Sequence, residues 1–174
     1  MVLKKKNIEV QIPLLDSKVD VLAFDVSSLK NKIIKLDMTR KLMGKSLEST
    51  FKINVNSGIA EAVPLRLALF QFYIRRLIRK SASYIEDSFL VDCKNGKIRV
   101  KTFMITRKRV PRTIRNSIRK KAREIIADFC KDKDYEDFFK AVLSNSIQKE
   151  ISTIAKKIYP LAVCEVKEVK VEKK

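Results

Sequence analysis

Between residues 93 and 123 stand thirteen Lys and Arg side chains and not one Asp or Glu. The chemistry such a set offers is the capture of phosphate. A guanidinium grips two oxygens with parallel N–H bonds, and an ammonium adds a compact point charge. Crowded together without counter-charge, these groups repel one another through water and salt that screen them only partly, so a polyanion is the expected partner. The dense part of the run is TRKRVPRTIRNSIRKKAR, residues 106–123. Arg107, Lys108, Arg109, Arg112, Arg115, Arg119 and Lys120 are the candidates for contact with a nucleic-acid backbone. Lys97, Arg99 and Lys101 alternate with Ile98 and Val100, which puts the three cations on one face of a strand as supporting charge. An edge strand guarded by lysines against aggregation would look the same locally; direct continuation into Arg107 favours binding. A second cluster, Arg75, Arg76, Arg79 and Lys80, closes an apolar-periodic stretch, where cations suit both a helix C-terminus and a phosphate.

The charge is segregated along the chain. Residues 1–63 carry a net +4, residues 64–123 a net +15, and residues 124–174 balance at zero. Basicity that served only solubility would have no reason to concentrate in one segment, whereas a binding surface does.

Other chemistries find little support. The chain has no histidine, which excludes Ser-His-Asp and Cys-His catalysis and histidine metal sites. Three glycines, Gly44, Gly58 and Gly96, cannot build a Walker loop or a GxGxxG turn. Cys93, Cys130 and Cys164 are odd in number, widely spaced and without a CxxC pair, so neither a disulfide framework nor a zinc site is expected, and reduced, mostly buried thiols are. A metal-dependent nuclease could use Asp16, Asp20, Asp25 or Asp37, but each stands singly where turns and strand ends favour Asp anyway. No enzymatic activity and no cofactor are expected.

The elements that must position the cations follow from periodicity. Ile8, Val10 and Ile12 alternate with polar residues as a half-buried strand that Pro13 ends, and residues 19–26, 32–38 and 51–55 read as three more, the last running into a Ser57-Gly58 turn. Pro64 suits the first position of a helix over residues 65–80, burying Phe70, Ile74, Leu77 and Ile78. Residues 89–94 and 97–105 flank Asn95-Gly96, a hairpin signal for a type I′ turn. From Ile114 the positions Ile118, Ala122, Ile125, Ile126 and Phe129 form a helical stripe; the cations lie largely off it, on a face with no acids to mix among them. Asp134 is placed to cap a short helix carrying Phe138, Phe139, Val142 and Leu143. Residues 146–158 make another helix, stopped by Pro160, and residues 163–171 return to strand alternation with a phase slip near Lys167-Glu168 that suggests a bulge.

At 174 residues the chain is long enough for one domain with a real core. The expected organisation is a basic tail over residues 1–6, one α+β domain over 7–171, and a tail over 172–174. Lys4 to Lys6 lead into alternating residues rather than an apolar leader, and the most apolar window, residues 63–78, is broken by Arg66, Gln71, Arg75 and Arg76, so no signal peptide and no membrane span are expected.

The C-terminal third also resembles a known family. Ser146, Ile147, Lys149, Glu150 and Ile151, then Ile158, Tyr159, Pro160 and Leu161 and a basic strand, are similar to the end of the archaeal and eukaryotic small-subunit ribosomal protein family S-three-A-e, or eS-one. The likeness extends back through Asn95, Gly96, Arg99 and Val100 and through Thr106, Arg107, Lys108 and Arg109 to Ile118, Arg119 and Lys120. Before Phe89 it is one of pattern: Asn7-Ile8 stands where the family has Trp-Tyr, and residues 67–70 read Leu-Ala-Leu-Phe for Leu-Thr-Arg-Asp. The length points to an archaeal-type version. The resemblance implies an α+β fold, a β-barrel-like antiparallel or mixed sheet with packed helices, the C-terminal helices followed by a final strand. It implies a structural protein of the small ribosomal subunit, on the platform near the mRNA exit and the 3′ end of the ribosomal RNA. Its partners would be that RNA and neighbouring ribosomal proteins, in the cytoplasm, without self-association. The competing expectation is a free-standing, DNA-compacting nucleic-acid-binding protein, which would share the basic patch.

Overall fold

The computed structural model describes residues 4–172 except 41, 43 and 57. Among them the elements run β1 (Lys6–Ile12), β2 (Ser17–Ala23), β3 (Ile33–Asp37), β4 (Leu47–Asn56), β5 (Ile59–Leu69), α1 (Gln71–Leu77), β6 (Tyr84–Cys93), β7 (Gly96–Thr106), α2 (Arg112–Lys131), α3 (Tyr135–Leu143), α4 (Ser146–Ala155) and β8 (Leu161–Glu172). The first strand begins at Lys6 and the last ends at Glu172, each one residue inside a segment expected as tail.

Strand β5 joins the two halves. One of its edges pairs with β4 along its whole length. The other is shared: β1 lies parallel to it at Gln11 and Glu61, and β8 antiparallel at Arg66, Leu67 and Ala68. The resulting mixed sheet has eight strands in the order β2-β1-β5-β8-β7-β6, with β4 and β3 branching from β5. It stays open, so the barrel-like expectation resolves into an α+β fold with a branched, unclosed sheet.

Two cores sit on either side of that join. Val10, Ile12, Leu29, Phe51, Ile53 and Ala62 form the smaller one, under β1 to β5. In the larger, Ile85 and Val91 of β6, Ile98, Val100 and Met104 of β7, and Val166 and Val169 of β8 meet the apolar stripes of the helices, among them Ile118 and Ile126 of α2, Phe138 and Phe139 of α3, and Ile147 and Ile151 of α4. The stripe expected from Ile114 to Phe129 is therefore the buried side of α2, which is longer than expected at both ends.

The expected helix over residues 65–80 forms only in part, its first five residues being strand. Residues 59–69 belong to β5, and only Gln71–Leu77 is helical. Ala60, Ala62 and Pro64 face inward, a bulge at Leu65 resets the phase, and Leu67 and Leu69 face inward again. Pro64 sits beside this bulge rather than at a helix start; lacking an N–H to give the ladder, it belongs at such a break. The near-continuous apolar run around it satisfied both periods.

Other expectations shift in detail. The hairpin at residues 89–105 exists, but β6 starts at Tyr84 and Cys93 pairs with Gly96, so the turn is Lys94-Asn95. Neither Asn95 nor Gly96 has positive φ, and the turn is not type I′. Gly58, with φ +83°, does take the left-handed region at the β4–β5 turn, a conformation open to glycine without strain; Ser57 lies outside the described residues. Asp134 occupies the position before α3 but makes no side-chain capping bond, leaving Glu136 and Asp137 as the acids of the first turn. The phase slip near Lys167 is a bulge: Lys101 pairs with Glu168 and Thr102 with Val166, leaving Lys167 as the extra residue. The three cysteines are unpaired, Cys130 fully buried, and burial pushes the Cys164 thiol up to about 12.

Candidate nucleic-acid interface

Two basic segments far apart in the chain are tied together by one hydroxyl pair. Ser83 and Thr106 exchange backbone and side-chain bonds: Thr106 N–H donates to Ser83 O at 3.1 Å, and Ser83 N–H to Thr106 Oγ1 at 3.0 Å. The Thr106 hydroxyl, fully buried, donates to Lys108 O at 2.6 Å and so bends the chain directly after β7. Val110 N–H then donates to Ser83 Oγ at 3.0 Å, and Arg109 Nη2 reaches Lys80 O at 3.2 Å. These bonds hold Arg75, Arg76, Arg79 and Lys80, at and beyond the end of α1, against Arg107, Lys108 and Arg109. All seven are exposed. The sequence offers no signal for the roles of Ser83 and Thr106, because both are ordinary polar residues until the strands bring them together.

From there the basic surface continues onto α2. Arg112 and Lys120 are exposed, while Arg115 and Arg119 are half-buried. Arg119 is held in place by Glu86 O, which accepts from its Nε at 3.1 Å, and by Asn116 Oδ1 at 2.9 Å. A shallow groove along this side of α2, about 430 Å³, is lined by Thr113, Asn116, Ser117, Arg119, Lys120 and Arg123. Hydroxyl and amide groups thus alternate with cations, the mixture that phosphate oxygens accept. The Nε of Arg115 is buried without a hydrogen-bond partner.

Strand β7 is different. Its cations share one face as the alternation requires, but each has a carboxylate beside it. Lys97 Nζ lies 3.2 Å from Asp92, Arg99 Nε 2.7 Å from Glu172, and Lys101 Nζ 2.7 Å from Glu168, which also takes Arg66 Nε at 2.5 Å. Burial works to raise the Glu168 carboxyl, but hydrogen bonds from Lys101 and Arg66 outweigh it and hold the group below its usual range. The Arg99 hydrogen bond does the same for Glu172. This face is a cross-strand charge ladder more than an uncompensated ribbon. Arg123, inside the acid-free run, is also engaged: its Nε and Nη2 grip buried Asp87 at 2.5 and 2.6 Å, and its guanidinium covers the Phe89 ring at 5.5 Å.

The division is clear. Among the described residues, Arg75, Arg76, Arg79, Lys80, Arg107, Lys108, Arg109, Arg112, Arg115, Arg119 and Lys120 form no ion pair, whereas Lys97, Arg99, Lys101, Lys121 and Arg123 all do. Desolvated or crowded cations that lack carboxylates keep their full attraction for an incoming anion. The acids that a metal-dependent nuclease could use are turn and strand residues. Asp16 ends a turn in the left-handed region, Asp25 O accepts the Ser28 hydroxyl, and Asp37 accepts two bonds from Thr39.

Comparison with known proteins assigns the chain to a family. The model of the Ribosomal S3Ae family matches residues 20–174. Relatives named small ribosomal subunit protein eS1 include one from Pyrobaculum neutrophilum, 30% identical over 78% of this chain and 62% of its own length. Another, from Saccharolobus solfataricus, is 34% identical over 58% of this chain and 49% of its own length. A third, from Saccharolobus islandicus, is 30% identical over 87% of this chain and 75% of its own. The chain thus spans about half to three quarters of the curated relatives it matches. With a match that runs through the larger core, most of the smaller one and the whole basic surface, the chain belongs to the Ribosomal S3Ae family.

Proposed function

We propose that the chain is a structural component of the small ribosomal subunit, held to ribosomal RNA by the continuous surface formed by the end of α1, the 107–112 connection and the first half of α2. The observation that carries this reading is the division of the cations: those on this surface have no carboxylate partners, while those of β7 and Arg123 are offset within the fold. A-form RNA hides its major groove from side chains, so the contacts are with phosphate and ribose spacing rather than with base edges. The role is architectural and needs no catalysis. A position on the platform near the mRNA exit, beside other ribosomal proteins, is the finer part of the proposal and rests on the family resemblance.

A salt titration tests the phosphate mechanism. With about six phosphates neutralised, log K for a small-subunit RNA fragment falls against log salt with a slope of roughly −4 to −5. A slope near zero removes the mechanism. Sedimentation in moderate salt separates the ribosomal reading from a DNA-compacting one: the first expects comigration with small subunits, the second a free protein that binds duplex DNA equally well. Cross-linking on intact subunits to the 3′ end of the RNA checks the platform position.

A further inference from the structure

Between the end of α1 and the start of β8 lies a cleft of about 500 Å³ whose make-up phosphate contact does not explain. Its floor includes the cross-strand pair Ile105 and Val163, and Leu77 and Ala82 stand beside them. Arg76, Arg79 and Arg107 also line it. An RNA backbone lying across those arginines alone would leave an apolar recess beneath it filled with water that such walls hold poorly. The volume falls in the roughly 300–1,000 Å³ range of small-molecule pockets, far more than one phosphate needs.

We propose that this cleft takes a single extruded nucleotide of the bound RNA, its base inward against Val163, Leu77 and Ala82 and its phosphate on the three arginines. The inference rests on the RNA-binding reading above and names what that surface holds at one point. Three features build the site. Ala162, another lining residue, is the extra residue of a second bulge in β8, since Ile105 pairs with Val163 and Thr106 with Leu161. Arg107 is set by its N–H, which donates to Pro160 O at 3.3 Å. Arg76 lies over the Phe72 ring at 5.3 Å, which steadies the guanidinium while leaving its in-plane donors free for phosphate. The polar groups within reach are few: the Thr106 hydroxyl is spent on Lys108 O, and Ser81 is the other hydroxyl present. The cleft therefore accepts any base, gaining from covered apolar surface rather than from base-edge hydrogen bonds.

The test compares two RNA hairpins that differ only in one unpaired nucleotide in the stem, by fluorescence anisotropy at moderate salt. The protein is expected to prefer the bulged hairpin about five- to tenfold, a modest share of what burial of one base contributes on aromatic platforms, and with little dependence on which base is bulged. Ala162→Trp fills the cleft without changing charge; it is expected to abolish the preference while affinity for the perfect stem stays within twofold and the circular dichroism is unchanged. As a readout independent of that variant, 4-thiouridine at the bulge is expected to photo-cross-link to peptides containing residues 76–82 or 105–107. Equal affinity for the two hairpins, or cross-links confined to α2, overturns the cleft. Failure of both hairpins to bind instead overturns the RNA reading itself, and the cleft with it.

Discussion

At the scale of single residues, pairing is set by burial as much as by sign. Asp87 is 7% exposed, while the Arg123 side chain that grips it is half open to water. Removing one partner has unequal consequences. Arg123→Ala strands a buried carboxylate and is expected to cost about 3 kcal/mol. Asp87→Asn leaves a guanidinium that water can reach and is expected to cost about 1–2 kcal/mol. Urea unfolding decides, and equal costs would mean that the asymmetry of exposure is irrelevant. Glu168 gives a pH test. Its carboxyl is held below the ordinary 4.5 by Lys101 and Arg66, so the stability it contributes is complete above about pH 4.5 and is lost as the pH falls through its lower folded value. Glu168→Gln is expected to cost about 1–2 kcal/mol at pH 7, with the difference from the parent protein shrinking below pH 4.5. A gap that is constant from pH 7 to pH 3 would show that the charge of Glu168 contributes nothing.

At the scale of elements, the basic surface exists because two connections are locked together. Thr106 carries that lock: its hydroxyl serves Ser83 and Lys108, and without it the 78–83 and 107–111 segments are joined only by Thr106 N–H, Val110 N–H and Arg109. Thr106→Val keeps the shape, removes the hydroxyl, and is expected to destabilise by about 1–2 kcal/mol. It is also expected to weaken RNA binding severalfold with no loss of charge, read by denaturation and by a binding titration at one salt concentration. Unchanged binding would mean that the arginines need no fixed frame. The elements themselves were legible to different degrees. The stripe of α2 and the β8 bulge near Lys167 follow from period alone. The run through Pro64 did not, because residues 63–70 are apolar at almost every position, and only the pairing of β5 with β4 and β8 chose strand over helix.

For the whole molecule, what matters is where charge is left uncancelled. Replacing Arg107, Lys108 and Arg112 by Ala is expected to reduce the magnitude of the salt slope by roughly 2–3 while leaving stability nearly unchanged, because each such cation accounts for a little under one released counterion. Replacing Lys97, Arg99 and Lys101 is expected to do the reverse. The slope changes by less than about 1, and the protein loses stability as Glu172 and Asp92 are left unpaired and Glu168 keeps only Arg66. Similar slope changes in the two triple variants would erase the distinction between free and paired cations. The smaller core under β1 to β5 touches none of this surface, which lies over the larger core of β6 to β8 and the helices.

Composition and order alone determined that the chain is strongly and locally basic, that it lacks the side chains for most catalysis, and that an amphipathic helix follows an arginine-rich connection. Those properties are local, readable from neighbours within a turn or a strand. Which cations remain available was a tertiary decision. The run from residue 93 to 123 is free of acids in sequence but not in space, since Asp87 and Asp92 arrive from β6 and Glu168 and Glu172 from β8 to neutralise part of it. Electrostatic attraction depends on distance through the folded body, and distance along the chain says little about it once residues 55 to 75 positions apart lie side by side.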